Sequence, residues 1–167
     1  MKPRFTTLLA GGLLAPALVG AAAAGPLEDG RAAYRRGDYA TAMRLLLPLA
    51  EAGDAGAQTD LGWMVATGRG APQDYAQALA WTRKAADQGY AGAQLSLGLM
   101  RSEGQGAPQD YAQAYMGFSL ASRATDADIR IRGIENRDAL AAEMTPAQIA
   151  EAQRMAREWK PKRGPRL

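Results

Sequence analysis

The sequence predicts an all-α solenoid, a stack of similar helical hairpins, from three observations. The nine residues Gly70–Ala78 return unchanged as Gly106–Ala114, a spacing of 36 residues. The pair Leu61–Gly62 also returns at that spacing, as Leu97–Gly98. Each unit places a glycine-rich turn between two segments whose apolar residues have helical spacing. A fixed period of roughly 20 to 50 residues is typical of stacked units that bury their apolar faces against one another.

Residues 1–24 are predicted to be a secretory signal peptide outside the fold. Lys2 and Arg4 form a basic start, residues 5–19 are apolar and uncharged, and alanines at 21–24 provide small residues for cleavage. A transmembrane anchor is the alternative, but the apolar stretch is short and contains glycine and proline. Because the chain has no cysteine, a lipid-modified signal is excluded. We expect a periplasmic or secreted protein without a stable membrane anchor.

An incomplete copy of the unit is expected over 25–56, with helices at 27–36 and 39–52. Its second helix starts 36 residues before the corresponding helix of the next unit, whereas the turn before it lacks a Pro–Gln pair and is shorter. Pro48 lies inside this second helix and should kink it, because proline removes a backbone donor and clashes with the preceding turn.

Two complete units are predicted at 57–92 and 93–124. In the first of them, apolar residues follow the spacing of one buried helical face over 57–67. The turn glycines and Pro72 should end that helix, because glycine accepts a positive φ and proline cannot continue a helix. Asp74 is expected to cap the second helix, since its carboxylate can accept hydrogen bonds from free backbone N–H groups.

A C-terminal helical cap is predicted over 125–159. Apolar residues within 129–144 indicate a less regular helix, and Thr-Pro-Ala-Gln at 145–148 has the composition of a capping box that starts a last helix. Such a pair would cover the open end of the last repeat. Residues 160–167 are expected to be a frayed basic tail.

The composition excludes several kinds of chemistry. The chain has neither cysteine nor histidine, so a Cys/His zinc site, a thiol nucleophile and a Ser–His–Asp triad are impossible. The turn Gly68–Gly70 superficially resembles a phosphate-binding loop, but no Gly–Lys–Ser/Thr follows it. We therefore predict that the protein is not an enzyme and has no catalytic, metal-binding or cofactor-binding residues.

The strings Ala-Gln-x-x-Leu-Gly-x-Met, Gly-x-Gly-Ala-Pro-Gln-Asp-Tyr-x-x-Ala and Trp-x-x-Lys-Ala-Ala-x-Gln-Gly-Tyr-Ala resemble the Sel1-like repeat. That family belongs with the tetratricopeptide-type helical hairpins. The resemblance implies a right-handed superhelix, here of about seven helices, that acts as an adaptor or scaffold. The chain departs from the family at Val65 and Arg101, where tyrosine is usual. It also has Gly117 where an aromatic residue is usual, which either permits a close helix approach or loosens the last repeat.

The first helix of each unit is expected to line the concave side of the solenoid and form a partner-binding groove. The side chains predicted to point into this groove are Thr59, Trp63, Ala66, Leu95, Leu99 and Ser102. Trp63, Leu95 and Leu99 would then form an exposed apolar patch of the kind that marks partner sites. The alternative is that Trp63 packs against a neighbouring unit or the N-terminal segment. The repeat-defining aromatic residues are instead expected in the core; they are Tyr75, Trp81 and Tyr111.

We expect an unknown periplasmic or envelope protein, or an extended segment of one, to bind in the groove. The alternative is a cell-wall module that binds peptidoglycan through aromatic residues in the groove. The net charge of +3 falls to +1 without Lys2 and Arg4, and six basic residues lie in the last 14 positions. This segment could be attracted weakly to an anionic surface. We do not expect an exported protein of this kind to bind nucleic acid.

Overall fold

The computed structural model describes residues 25–162, which form eight helices and no strand. These helices are α1 (Pro26–Arg35), α2 (Tyr39–Glu51), α3 (Ala55–Ala66), α4 (Tyr75–Asp87), α5 (Ala91–Glu103), α6 (Tyr111–Ala121), α7 (Ala127–Ala141) and α8 (Pro146–Glu158). The expected number of about seven helices is therefore one too low. The predicted signal peptide lies outside the described residues. No helix within residues 25–162 is both long enough and apolar enough to span a bilayer.

The first six helices form three hairpins that stack in chain order. The pairs α1–α2, α3–α4 and α5–α6 pack together, and the first helix of each later hairpin also packs on the second helix of the hairpin before it. Helix α3 also contacts both α1 and α5, so the three first helices form one layer. This is the predicted all-α solenoid.

A glycine in each first helix sets the separation between the two helices of its hairpin. A Cβ atom on Gly62 would lie 2.6 Å from the hydroxyl of Thr82, and one on Gly30 would lie 2.7 Å from the side chain of Leu46. The third unit has the same close approach at Gly98. Because Leu46 and Thr82 are 36 residues apart, Gly30 and Gly62 are equivalent positions, and the first unit is in register with the others despite its shorter turn.

The second glycine of each turn lets one unit press against the unit before it. Gly70 and Gly106 have φ values of +84° and +75°, which glycine tolerates and other residues rarely adopt. A Cβ atom on Gly70 would lie 2.9 Å from the carbonyl oxygen of Tyr39, and one on Gly106 would overlap that of Tyr75. Each turn therefore contacts the start of the preceding second helix.

The repeated Gln–Asp pair caps two helices at once. The side-chain amide of Gln73 donates to the carbonyl of Ala66 at the end of α3, at 2.7 Å, and Asp74 accepts from the backbone N–H of Gln77 in α4, at 2.9 Å. The third unit makes the same two hydrogen bonds, at 2.6 and 2.9 Å. The predicted N-cap role of Asp74 is confirmed.

Helix α2 contains Pro48 and continues to Glu51, as expected. One expectation about a particular residue needs adjustment. Tyr75 is 38% exposed, so its expected place in the core is wrong. It stands at the first position of α4, where its backbone contacts the next turn and its hydroxyl accepts a hydrogen bond from Gln73. Trp81 and Tyr111 are partly buried against the core, as expected.

The C-terminal cap is built on α6. Helices α7 and α8 both pack on α6 and do not form a fourth hairpin with each other. The capping box of Thr145 and Gln148 is present at the start of α8. A Cβ atom on Gly117 would lie 2.8 Å from the carbonyl oxygen of Gln94, so this glycine permits a close approach of α5 and α6.

The segment after α8 is docked at its start, and the prediction of a frayed tail is wrong for residues 160–162. Lys162 donates from its backbone N–H to the carbonyl of Asp87 at 2.7 Å and from Nζ to the carboxylate of the same residue, also at 2.7 Å. The ring of Trp159 lies beside Gly89. The chain therefore returns from the cap to the end of α4. The rest of the predicted tail lies outside the described residues.

Candidate functional site

Three neighbouring cavities lie along the layer of first helices, and we call them together the groove. The N-terminal cavity, between the first and second units, has a volume of about 150 Å³. The central cavity, between the second and third units, has about 310 Å³. The C-terminal cavity, between the third unit and α7, has about 210 Å³. The first two cavities open where the first helices of successive hairpins meet, and the third opens where the cap helix α7 packs on the last hairpin.

Trp63 separates the N-terminal and central cavities and lines both. Its side chain is 57% exposed, the largest exposed fraction among the large apolar residues described. Its indole Nε1 donates to the hydroxyl of Tyr34 at 3.0 Å, which orients the ring and leaves most of it accessible. A large aromatic side chain held in this way is suited to contacting a partner. Trp63 thus contacts the first unit through Tyr34, while more than half of its side chain stays accessible.

Five of the six side chains predicted for the groove line its cavities. Thr59, Ala66 and Leu99 line the central cavity together with Trp63, and Ser102 lines the C-terminal cavity. Leu99 is partly buried, and Ser102 donates its hydroxyl to the carbonyl of Leu99 at 2.9 Å. All three side chains predicted in α3 therefore line the groove, and two of the three predicted in α5 do so.

Leu95 is the exception, and its prediction as an exposed groove residue is wrong. Its side chain is only 4% exposed and belongs to the core cluster that contains Phe118. The cap is the reason: Leu140 and Met144 contribute to the same cluster, and Ile129 packs against it. Helix α7 therefore covers the part of α5 that would otherwise continue the groove.

The sequence analysis missed the contribution of α1. Gly30 lies 32 residues before Gly62, not 36, because the first turn is shorter. With that offset, Arg31 is equivalent to Trp63 and Tyr34 to Ala66, and both residues of α1 line the N-terminal cavity. Aligning Gly30 with Gly62 is the signal that could have identified them from the sequence.

An ion pair crosses the N-terminal cavity. The Nε atom of Arg31 lies 2.7 Å from a carboxylate oxygen of Asp60, and a second nitrogen lies 3.0 Å from Glu28. Burial raises the pKa of the Asp60 carboxyl above its usual value, against the opposing effect of Arg31. Because Arg31 and Asp60 neutralise each other, this pair fixes α1 to α3 and adds little net charge to the cavity.

Two more arginines stand at the same end of the groove. Arg69 lies over the rings of Tyr34 and Tyr39, with its guanidinium carbon 5.6 and 5.7 Å from the ring centroids, and donates to the Tyr34 hydroxyl. Arg35 is exposed and lines the N-terminal cavity. Within residues 25–162, its side chain makes neither a hydrogen bond nor an ion pair. This end of the groove is therefore basic.

Acidic groups line the central and C-terminal cavities of the groove. Glu103 lines the central cavity beside Gln105, and Glu143 lines the C-terminal cavity. The hydroxyl of Tyr111 donates to Glu143 at 3.1 Å, and this hydrogen bond to a carboxylate raises the pKa of Tyr111. The groove therefore changes from basic beside α1 to acidic beside α7.

This arrangement is suited to binding. Asp60, Glu103 and Glu143 each line a different cavity. Among the residues from 25 to 162, no group of three or more acidic side chains is arranged to hold a metal ion.

Comparisons with known proteins agree with this architecture. A family model described as the Sel1 repeat matches residues 21–54, 55–90 and 91–126. The family model thus matches the shortened first unit in addition to the two complete units. None of the curated proteins matches the chain.

Two solved structures share the fold. One is c5321, a protective antigen present in uropathogenic Escherichia coli strains that displays an SLR fold; it is 29% identical, with a TM-score of 0.74 over 80% of this chain and 29% of that chain. The other is a Sel1 repeat protein from Oxalobacter formigenes; it is 21% identical, with a TM-score of 0.60 over 81% of this chain and 61% of that chain. The chain thus spans less than a third of the first protein and less than two thirds of the second.

The three matched stretches cover more than half of the sequence, and they coincide with the three stacked hairpins. The glycine of the repeated Leu–Gly pair allows the close contact within the second and third hairpins, and the glycine-rich turn allows the contact with the preceding hairpin. The chain therefore belongs to the Sel1 repeat family.

Proposed function

We propose that this protein is an exported, non-enzymatic adaptor that binds a segment of a partner protein in the groove. The observation that carries the proposal is Trp63, which is 57% exposed and is oriented by Tyr34 between two cavities. Sel1 repeat proteins generally mediate protein–protein interactions. Stacked helices hold the groove side chains in place before binding, so little conformational entropy is lost when a partner docks.

The form of the groove favours an extended segment. Small-molecule pockets usually have volumes of roughly 300 to 1,000 Å³, whereas the groove offers three smaller or comparable cavities in a row, of about 150, 310 and 210 Å³. An extended chain can place successive side chains in separate cavities. A single compact ligand would occupy only one of them.

A photo-crosslinking experiment tests this function. A photoreactive phenylalanine analogue replaces Ala66, which lines the central cavity, and in a matched control it replaces Ala80, which is exposed on α4. We expect a protein adduct from position 66 in the native envelope, little adduct from position 80, and loss of the first adduct when Trp63→Ala is added. Equal labelling from both positions, or an adduct that does not depend on Trp63, would contradict binding in the groove.

Export is part of the proposal and rests on the composition of residues 1–24. Their basic start, apolar middle and alanine-rich end are the arrangement that signal peptidase recognises. Cell fractionation followed by N-terminal sequencing should find a chain that begins near Gly25 outside the cytoplasm. An intact N-terminus in the cytoplasmic fraction would refute export.

A cell-wall binding module is the second candidate, favoured by one observation. The exposed ring of Trp63 stands beside Thr67 and Gln105 in the central cavity, and an aromatic face with nearby hydroxyl and amide groups also suits a sugar ring. Co-sedimentation with purified peptidoglycan separates the candidates. Retention of the wild-type protein and release of Trp63→Ala would favour the cell-wall module.

A further inference from the structure

The N-terminal cavity has an apolar floor and a basic rim. Leu46 and Met64 form its floor, and both are almost completely buried. The aromatic rings of Tyr34 and Trp63 line it, and Arg35 stands at its edge. Its volume is about 150 Å³, and an apolar cavity of roughly that size can hold a benzene molecule. One leucine or phenylalanine side chain is therefore the natural size of its guest.

One of the two arginines that line the cavity is unpaired within residues 25–162. Arg31 is paired with Asp60 and Glu28, at 2.7 and 3.0 Å. Arg35 has no such partner among residues 25–162, although it lines the same cavity. A guanidinium can bind a carboxylate with two parallel hydrogen bonds, which is stronger than a contact between neutral groups.

The other end of the groove determines the direction in which an acidic segment would lie. Glu103 and Glu143 line the central and C-terminal cavities, and they would repel a carboxylate placed there. An acidic group on the ligand is therefore attracted to the side of α1 and away from α7. A neutral sugar has no negative charge to pair with Arg35.

We propose that the N-terminal cavity is an anchor subsite for an acidic peptide segment. An aspartate or glutamate of the partner pairs with Arg35, and a neighbouring leucine, methionine or phenylalanine side chain enters the cavity beside Trp63. This inference rests on the proposed function, because it states which chemistry the groove recognises. It also sets the orientation of the bound segment, with its acidic part at the first unit.

Two pools of short, capped, fluorescently labelled peptides test this inference by fluorescence anisotropy. In the acidic pool, aspartate or glutamate adjoins leucine, methionine or phenylalanine in a glycine–serine background, and in the amide pool asparagine or glutamine replaces the acid. We expect the full chain without residues 1–24 to bind the acidic pool about tenfold more tightly, which corresponds to one hydrogen-bonded charge pair. Added salt should reduce this preference.

Two arginine variants assign the preference to its source. Arg35→Gln should abolish the difference between the pools, whereas Arg44→Gln, which removes the same charge from an exposed position on α2, should keep it. Matching circular dichroism spectra and melting temperatures would confirm that both variants are folded. A preference that survives Arg35→Gln would overturn the assignment.

The remaining outcomes separate this inference from the proposed function. Equal binding of both pools to the wild-type protein would refute recognition of a carboxylate and leave peptide binding in the groove intact. If neither pool binds, the anchor subsite is refuted, and the crosslinking result at position 66 decides the proposed function by itself. Binding of soluble peptidoglycan fragments in place of both pools would also refute the anchor subsite and would support the cell-wall module.

Discussion

Lys162 holds Asp87 at two points, through its backbone N–H and through its Nζ atom, each at 2.7 Å. The two residues are 75 positions apart in the sequence. Because α8 packs on α6 and Asp87 ends α4, this contact connects the C-terminal cap to the second unit across the third. A solenoid in which each unit contacts only its neighbours opens easily between units, so this connection should stiffen the array.

The first prediction tests this connection through Trp159, whose partly buried ring lies beside Gly89. Trp159→Ala should lower the free energy of unfolding by about 2 kcal/mol, because it exposes apolar surface and releases the segment that carries Lys162. Urea denaturation measures this change. Lys160→Ala is the control, since Lys160 is exposed; equal effects of the two variants would show that the segment is not docked.

The second prediction concerns the two glycines of the third turn. Gly104 and Gly106 both have positive φ, +70° and +75°, but a Cβ atom is tolerated only at Gly104, where the nearest atom is 3.4 Å away. Gly104→Ala should therefore cost about 1 to 2 kcal/mol, the price of the left-handed backbone conformation. At Gly106 the new methyl group would also overlap the carbonyl of Tyr75.

Gly106→Ala should cost about 1 to 3 kcal/mol more than Gly104→Ala, because overpacking forces the two units apart. Chemical denaturation of the two variants gives the difference in unfolding free energy directly, since both variants carry the same cost of a left-handed backbone conformation. If the two alanine variants were equally stable, the contact of each turn with the preceding unit would contribute nothing to the stacking.

The third prediction tests the capping function of the repeated turn. Asp74→Ala should destabilise the protein by about 1 kcal/mol, because it leaves the backbone N–H of Gln77 without its acceptor. Gln77→Ala is the matched control, since only the backbone of that residue is used in the cap and its side chain is exposed. Thermal unfolding of both variants should show a clear decrease in Tm only for Asp74→Ala.

The fourth prediction is a pH dependence that arises from Asp60. Burial raises the pKa of this carboxyl in the folded protein, so the folded state binds the proton more tightly than the unfolded state does. The contribution of Asp60 to stability is then largest below the ordinary aspartate pKa of about 4 and decreases as the pH rises through the raised value.

The measurement is the difference in unfolding free energy between the wild type and Asp60→Asn, which removes the titration. The wild type should lose stability relative to Asp60→Asn as the pH increases from about 3 to about 6. A shift in favour of the wild type over that interval would mean that the ion pair with Arg31 outweighs the cost of burial.

Much of this fold follows from the sequence because the repeat is local. The stacked hairpins, the cap at Asp74 and the accessible face around Trp63 depend on contacts within one unit or between adjacent units, and those contacts recur with the period. Leu95 was misplaced because the helix that covers it belongs to the cap, where the period has ended. The docking of Lys162 depends on a contact between distant positions, for which the sequence contains no periodic signal.

The last prediction separates a binding role of Trp63 from a structural one. Because its ring is 57% exposed, Trp63→Ala should change the free energy of unfolding by less than about 1 kcal/mol, while Leu61→Ala, a cavity-forming change in the buried core, should cost about 2 to 5 kcal/mol. Partner affinity, in contrast, should be weakened more by Trp63→Ala than by Leu61→Ala. Trp63→Ala should weaken binding by about 2 kcal/mol or more if the indole is a central contact, and calorimetry with the crosslinked partner measures this. A Trp63→Ala protein that unfolds as readily as Leu61→Ala would place the indole among the structural residues and remove the main support for the groove.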